Sequence, residues 1–188
     1  MTPAERDYAA AYLERTKSSL LAATAALTEE QWRFKPSSEE WCAAECVEHI
    51  ALVEAFLLDT IAKLAAGPPA PAEILATCAG KEAIVEQKVP VRNVKVKAPE
   101  QARPTNRFAN SADLIAHFIA TRDRSIEYAR TTTDDIRRRT HPHFVFGPMD
   151  GYQWLIFMAA HGERHLNQLL EVTGRHSAAA SRPTQTGL

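Results

Sequence analysis

The chain has 188 residues, of which 45% are hydrophobic and 24% charged, as expected for one soluble globular domain. Its 22 basic and 23 acidic residues leave a formal charge of -1, which argues against a nucleic-acid partner or an anionic membrane surface. The polar N-terminus, the lack of a long apolar run and three cysteines outside any CxxC pair predict a cytoplasmic protein. We expect no signal peptide, membrane span or disulfide framework.

Four segments have the apolar periodicity of amphipathic helices. In chain order, these predicted helices span residues 3–27, 43–65, 110–130 and 150 to just before Gly174. The second is apolar on more than one side, which indicates a helix deep in a bundle, and Gly67-Pro68-Pro69 ends it. The sequence thus predicts one all-α domain over residues 1–174 and a disordered tail over residues 175–188.

A long proline-punctuated connection, residues 67–109, joins the second and third predicted helices. It contains candidates for short helices at residues 72–76 and 80–87, and a valine alternation over residues 89–96 that suits a short extended piece. Long connections in compact domains are usually functional or wrap the body of the domain. We therefore predict a four-helix bundle with an ordered crossover, an architecture that places metal sites between facing helices.

Two histidines interrupt the apolar face of the fourth predicted helix. His161 and His165 lie one turn apart, where the pattern of the face calls for residues such as leucine or phenylalanine. A buried polar ring without a partner costs about 1–3 kcal/mol, and a metal ion would satisfy both rings. Spacing of this kind occurs in zinc helices, although Gly162 replaces the catalytic glutamate of a metalloprotease and disfavours that class. Taken alone, the pair also fits a structural role.

His49 similarly breaks the apolar face of the second predicted helix. It shares that face with Val53, Phe56 and Thr60. A lone histidine there fits a satisfied core residue, but three histidines on the inward faces of two helices are difficult to explain separately.

Several motifs together resemble those of the DinB-like superfamily of bacterial metal-binding four-helix bundles. They are Trp41-xxx-Glu45-Cys-Val-Glu-His49-Ile, the stretch from Lys95 to Pro104 followed by Phe118-xxx-Arg122, Phe146-Gly-Pro148, and His161-xxx-His165-xx-Gln168. The resemblance covers about residues 5–173, and the order and spacing of the three histidines are its most specific part.

The resemblance implies a divalent metal held by His49, His161 and His165, with water completing the coordination. Three neutral imidazoles with an open position are typical of catalytic sites. Zinc is the first expectation, and nickel, iron or manganese would also suit imidazole ligands. Characterised relatives include transferases and isomerases that use low-molecular-weight thiols such as bacillithiol or mycothiol. The expected partners are a small-molecule substrate and a second copy of the chain.

Other residues have both a functional and a structural interpretation. Glu45 would orient His49 or a bound water, or be a solvated carboxylate at a helix N-terminus. Arg122 would anchor an anionic substrate or pair with a carboxylate. His141 and His143 would contact a substrate or a second metal, or lie in an exposed loop. Cys42 and Cys46 would supply a thiolate or, more simply, be small buried hydrophobes.

Three hypotheses follow from these residues. The first is a metal-dependent transferase or hydrolase that activates a thiol or water. The second is a non-catalytic metal-binding bundle, acting in stress response and forming a homodimer. The third is a bundle whose histidines are purely structural.

Overall fold

The computed structural model describes residues 1–93 and 96–180, which form seven α-helices and one two-stranded antiparallel sheet. The elements in chain order are α1 (Pro3–Thr24), α2 (Glu29–Arg33), α3 (Ala43–Ala65), α4 (Ala72–Ala76), α5 (Lys81–Lys88), α6 (Ser111–Thr131), β1 (Thr140–His143), β2 (Gly147–Asp150) and α7 (Gly151–Ala180). Single 3-10 turns occur at Glu100–Ala102 and Ile136–Arg138. None of the described helices is long and apolar enough to span a membrane.

The long helices α1, α3, α6 and α7 pack as the predicted four-helix bundle. Helices α1 and α3 each contact both α6 and α7. The ion pairs Glu54–Arg122 and Asp59–Arg124 show that α3 and α6 run in the same direction. Parallel neighbours cannot be joined by a short loop, so the chain needs the long connection over residues 67–109, hereafter the crossover.

Helix starts follow the local sequence closely. Thr2 and Glu5 form a capping box at α1, and the Asn110 side chain accepts a hydrogen bond from the amide of Asp113 at α6. A further capping pair lies at the start of α7. The Asp150 carboxylate accepts from the Gln153 amide at 2.9 Å, and the Gln153 side-chain oxygen accepts from the Asp150 amide at 3.1 Å.

The end of the last helix differs from its prediction. Helix α7 passes through Gly174 and continues to Ala180. One helical glycine costs only about 1 kcal/mol, and the next turn has its own contacts. Arg175 pairs with Glu40 at 2.7 Å, and the His176 ring lies edge-on to Phe34. Residues 181–188 of the predicted tail lie outside the described residues.

The hairpin of β1 and β2 was not predicted, and the expectation of an exposed loop at His141 and His143 is wrong. Thr140 pairs with Asp150 and His143 with Gly147, whose φ of +66° suits a glycine at the turn. These strands have only four residues each and no clear apolar alternation. In contrast, residues 89–93 and 96 form no strand, and Val94 lies outside the described residues.

A layer of polar side chains separates two hydrophobic clusters in the core. Along each long helix, residues of one cluster precede the layer and residues of the other follow it; on α6 these are Phe118 and Ile126. The layer itself contains one residue from each long helix, namely Thr16, Glu54, Arg122 and His161. This polar layer crosses the bundle at the level where the histidines of α7 begin.

Candidate metal centre

Helices α3 and α7 bring three imidazoles together. The metal-capable ring nitrogens of His49, His161 and His165 lie within 4.8 Å of one another. Their ring centroids are separated by 4.5 Å for His49–His165, 4.5 Å for His161–His165 and 5.0 Å for His49–His161. The structure thus groups the three histidines singled out from the sequence, and we call them the histidine cluster.

Burial keeps the histidine cluster uncharged. His49 and His165 are buried and His161 is half-buried. Burial is the main cause that lowers the pKa of all three rings, and for His161 and His165 the neighbouring imidazoles lower it further. At neutral pH the rings are therefore neutral, which is the form that binds a metal ion.

Hydrogen bonds fix which nitrogen carries the proton in two of the rings. Nδ1 of His49 lies 2.6 Å from the carbonyl oxygen of Ala102, and Nδ1 of His165 lies 3.0 Å from Oε1 of Gln168. Because Arg92 donates to that same Gln168 oxygen at 2.9 Å, this oxygen is an acceptor. Both Nδ1 atoms therefore donate, and both Nε2 atoms keep a free lone pair.

This donor set fits a divalent cation. Tetrahedral zinc with nitrogen ligands at about 2.1 Å would hold them about 3.4 Å apart, so small side-chain rotations would close the group around an ion. The group holds three nitrogen ligands and no carboxylate, a composition that suits zinc and other imidazole-binding metals better than calcium or magnesium.

Aromatic rings line the histidine cluster on two sides. The Trp41 ring lies 4.7 Å from His49 and 5.9 Å from His165, between centroids. Phe157 stacks on His161 at 5.5 Å and also contacts His143 at 4.9 Å. These apolar walls lower the local dielectric and strengthen interactions of the ring nitrogens with a cation.

Glu45, one helical turn before His49, binds groups outside the histidine cluster. The Glu45 carboxylate accepts from the Cys42 amide at 2.9 Å, from Lys35 at 2.7 Å and from the Asn106 side chain at 3.1 Å. These bonds hold its pKa below the ordinary value despite burial. It therefore caps α3 and holds the crossover, and its role in orienting His49 stays a prediction.

The cysteines flanking the cluster are buried and uncharged. Burial raises the pKa of Cys42 and, more strongly, that of Cys46. Neither belongs to the metal-capable group found among the described residues. Their surroundings favour the interpretation as small hydrophobes.

His143 and Arg122, the candidate substrate contacts, have different surroundings. Burial lowers the pKa of His143 to about 4, and its Nδ1 accepts from the amides of Val145 and Phe146. Arg122 is fully buried, and its Nε contacts both carboxylate oxygens of Glu54 at 2.8 and 2.9 Å. Substrate contact by either residue stays a prediction.

The two terminal nitrogens of the Arg122 guanidinium have different surroundings, and Nη2 faces α7. Nη1 donates to Thr16 at 2.6 Å and to the Leu13 carbonyl at 3.0 Å. Among the described residues Nη2 has no hydrogen-bond partner, and a Cβ added to Gly162 would lie 2.9 Å from it. Position 162 is therefore glycine because the guanidinium occupies the space of a side chain.

Sequence reasoning missed the groups behind the imidazoles. Ala102 and Arg92 come from the crossover, and a backbone carbonyl leaves no signal in a side-chain pattern. Gln168 could have been assigned, because a residue three positions after His165 lies beside it on a helix.

The chain thus belongs to the class of helical bundles with a three-histidine cluster, held here by α3 and α7. Within that class the chain belongs to the DinB superfamily, whose family model matches residues 12–169. It is similar to the uncharacterized protein YuaE of Bacillus subtilis (strain 168), with 27% identity over 149 residues, or 78% of this chain and 85% of the relative. No solved structure matches the chain significantly.

Proposed function

We propose that this protein binds one divalent metal ion through His49, His161 and His165. The observation that carries the proposal is the convergence of three neutral imidazoles whose ring nitrogens lie within 4.8 Å. In His49 and His165, acceptors hold the proton on Nδ1, which leaves the lone pair of each Nε2 available to a metal ion. Zinc is our first choice of metal, followed by nickel, iron or manganese.

We further propose that the bound metal serves a transferase or hydrolase reaction. Three protein ligands leave a coordination position open, and such a metal lowers the pKa of a bound water or thiol so that it becomes a nucleophile. His161 is the least buried member of the cluster, which supports access from its side. His143, which contacts the same Phe157 ring as His161, is the better-placed candidate for substrate contact.

A low-molecular-weight thiol is the proposed co-substrate, and a homodimer is the proposed assembly. Both proposals come from the DinB-like resemblance of the sequence. A cytoplasmic location is proposed separately, from the three cysteines that lie outside any CxxC pair. Arg122 is the weaker candidate for substrate contact, because Glu54, Thr16 and α7 enclose its guanidinium.

A non-catalytic metal-binding bundle is the second candidate function. The observation that favours it is the burial of His49 and His165, which are only 4% and 8% exposed. A metal so enclosed would mainly stabilise the contact between α3 and α7.

Metal analysis of protein purified without chelators tests the first proposal. We expect about one equivalent of metal in the wild type and in the control His117→Ala, whose histidine lies on α6 outside the cluster. His161→Ala should lose most of it. Wild-type protein without stoichiometric metal, or His161→Ala with unchanged metal, would contradict metal binding.

Turnover assays separate the two candidate functions. A panel of electrophiles offered with several low-molecular-weight thiols, and of esters and amides offered with water, should show metal-dependent turnover if the site is catalytic. A flat response across both panels with fully loaded protein would favour the binding module.

A further inference from the structure

The crossover supplies one wall behind the histidine cluster, and a buried carboxylate holds that wall in place. Glu48 precedes His49 on α3 and is only 2% exposed. Its Oε1 accepts from the amide and the hydroxyl of Thr105, both at 3.1 Å, and its Oε2 accepts from the amide of Asn106 at 2.9 Å. Three hydrogen bonds thus fasten this part of the crossover to α3.

The same part of the crossover has a strained backbone that these bonds maintain. Asn106 has a φ of +56°, in the left-handed region that non-glycine residues seldom occupy. Its side chain donates to Glu45 at 3.1 Å while its amide donates to Glu48. A conformation of this kind persists only where surrounding contacts hold it.

What the fastened segment presents to the cluster is the carbonyl of Ala102. Ala102 ends the 3-10 turn Glu100–Ala102, three residues before Thr105, and its oxygen accepts the Nδ1 proton of His49 at 2.6 Å. The imidazole of His49 therefore joins two partners, the crossover at Nδ1 and the cluster at Nε2.

We propose that Glu48 is a positioning residue for the metal ligand His49, acting through the crossover, and that metal binding in turn holds residues 99–107 more firmly. This inference rests on the metal site proposed above. It adds that a segment outside the long helices, residues 99–107, influences the affinity of that site for metal. A ring held by an N–H···O=C bond presents its other nitrogen in a fixed direction, and a metal on that nitrogen strengthens the N–H as a donor. Coupling of this kind is reciprocal, so each event favours the other.

The first test measures cobalt(II) affinity of the full-length apo protein, with the d–d absorption of the bound ion as the signal. Glu48→Gln replaces one acceptor oxygen by a carboxamide NH2 group that faces a backbone N–H, so we expect about a tenfold weaker affinity and a changed d–d spectrum. Thr105→Val removes only the hydroxyl bond and should give a smaller decrease in the same direction.

Asp150→Asn is the matched control. Asp150 is also a buried carboxylate that accepts a backbone amide, but its described partners are Gln153 and Arg137, away from residues 99–107. It should lower stability without changing cobalt affinity. Equal losses of affinity in Asp150→Asn and Glu48→Gln would mean a general structural effect and would overturn the positioning role.

Amide hydrogen exchange supplies the second readout, which does not depend on activity. Cobalt should slow exchange at Thr105 and Asn106 in the wild type, and much less in Glu48→Gln. A wild type that binds no cobalt would overturn both this inference and the metal site. A wild type that binds cobalt, with unchanged exchange over residues 99–107 or with unchanged affinity in Glu48→Gln, would overturn this inference alone.

Discussion

Two buried polar clusters meet near the polar layer of the bundle, and they differ in how their groups are satisfied. In the ion-pair cluster (Thr16, Glu54, Arg122 and the carbonyl of Leu13), a carboxylate, a hydroxyl and a carbonyl surround a guanidinium. In the histidine cluster, the ring nitrogens of three neutral imidazoles lie within 4.8 Å of one another. The first pairs a cation with an anion and with neutral acceptors, although Nη2 of Arg122 has no hydrogen-bond partner among the described residues, whereas the second groups three like rings. Buried polar side chains therefore indicate a bound ligand when they are grouped with side chains of the same kind, and not when they are paired with complementary ones.

The largest expected effect comes from breaking the ion-pair cluster. Glu54→Ala would leave the guanidinium of Arg122 buried and unpaired, and we expect a loss of about 3–5 kcal/mol in the free energy of unfolding. Urea denaturation measures it. The double variant Glu54→Ala/Arg122→Met should recover much of the loss, and an equally unstable double variant would contradict this account.

Metal removal should lower the stability of the fold through the histidine cluster and leave the ion-pair cluster unchanged. At a metal concentration one hundred times its dissociation constant, the bound ion stabilises the fold by about 2.7 kcal/mol. Thermal unfolding with zinc and then with a chelator should show this difference in the wild type and in His117→Ala. The difference should vanish in His161→Ala, and a chelator effect that persists there would place the metal elsewhere.

Gly162→Ala tests the contact between the two clusters. The added methyl group would lie 2.9 Å from Nη2 of Arg122, whose other nitrogens are held, so we expect a loss of about 1–3 kcal/mol. Gly174→Ala, on the same helix with no atom within 4 Å of its Cβ, is the control and should stabilise the protein by about 0.5–1 kcal/mol. Chemical denaturation of both variants makes the comparison, and equal signs would contradict the close contact.

Acid sensitivity from His143 concerns a group outside both clusters. Its folded-state pKa of about 4 is below the ordinary value of 6.5, so below pH 6.5 the unfolded chain binds a proton that the folded chain does not. Stability should therefore fall as the pH decreases from about 6.5 to about 4. In His143→Gln this fall should be shallower, as measured by urea midpoints at several pH values with chelator present. Parallel curves for the two proteins would contradict the assignment.

The sequence predicts the bundle well because each long helix carries its own signals. The bounds of α3 and the caps at Asn110 and Asp150 follow from apolar periodicity and from capping side chains within a few residues. The end of α7 was wrong because Gly174 is a weak breaker and the contact of Arg175 with Glu40 joins residues far apart in the chain.

The histidine cluster is predictable to the same extent and for the same reason. Positions 49, 161 and 165 each break a helical face, so periodicity marks them one by one. The groups behind them could not be found in this way. The carbonyl of Ala102 meets His49 across 53 positions of chain, and only the folded crossover brings them together.

The indole of Trp41 lies within 6 Å of two imidazoles of the histidine cluster, between ring centroids. This places a natural fluorophore beside the proposed ion. An open-shell ion such as nickel or cobalt would quench the emission of Trp41, whereas zinc, with its filled shell, would leave it bright. The protein thus carries an optical reporter that distinguishes metals without a label, and Trp41→Phe, which keeps Trp32 and Trp154, gives the background emission to subtract.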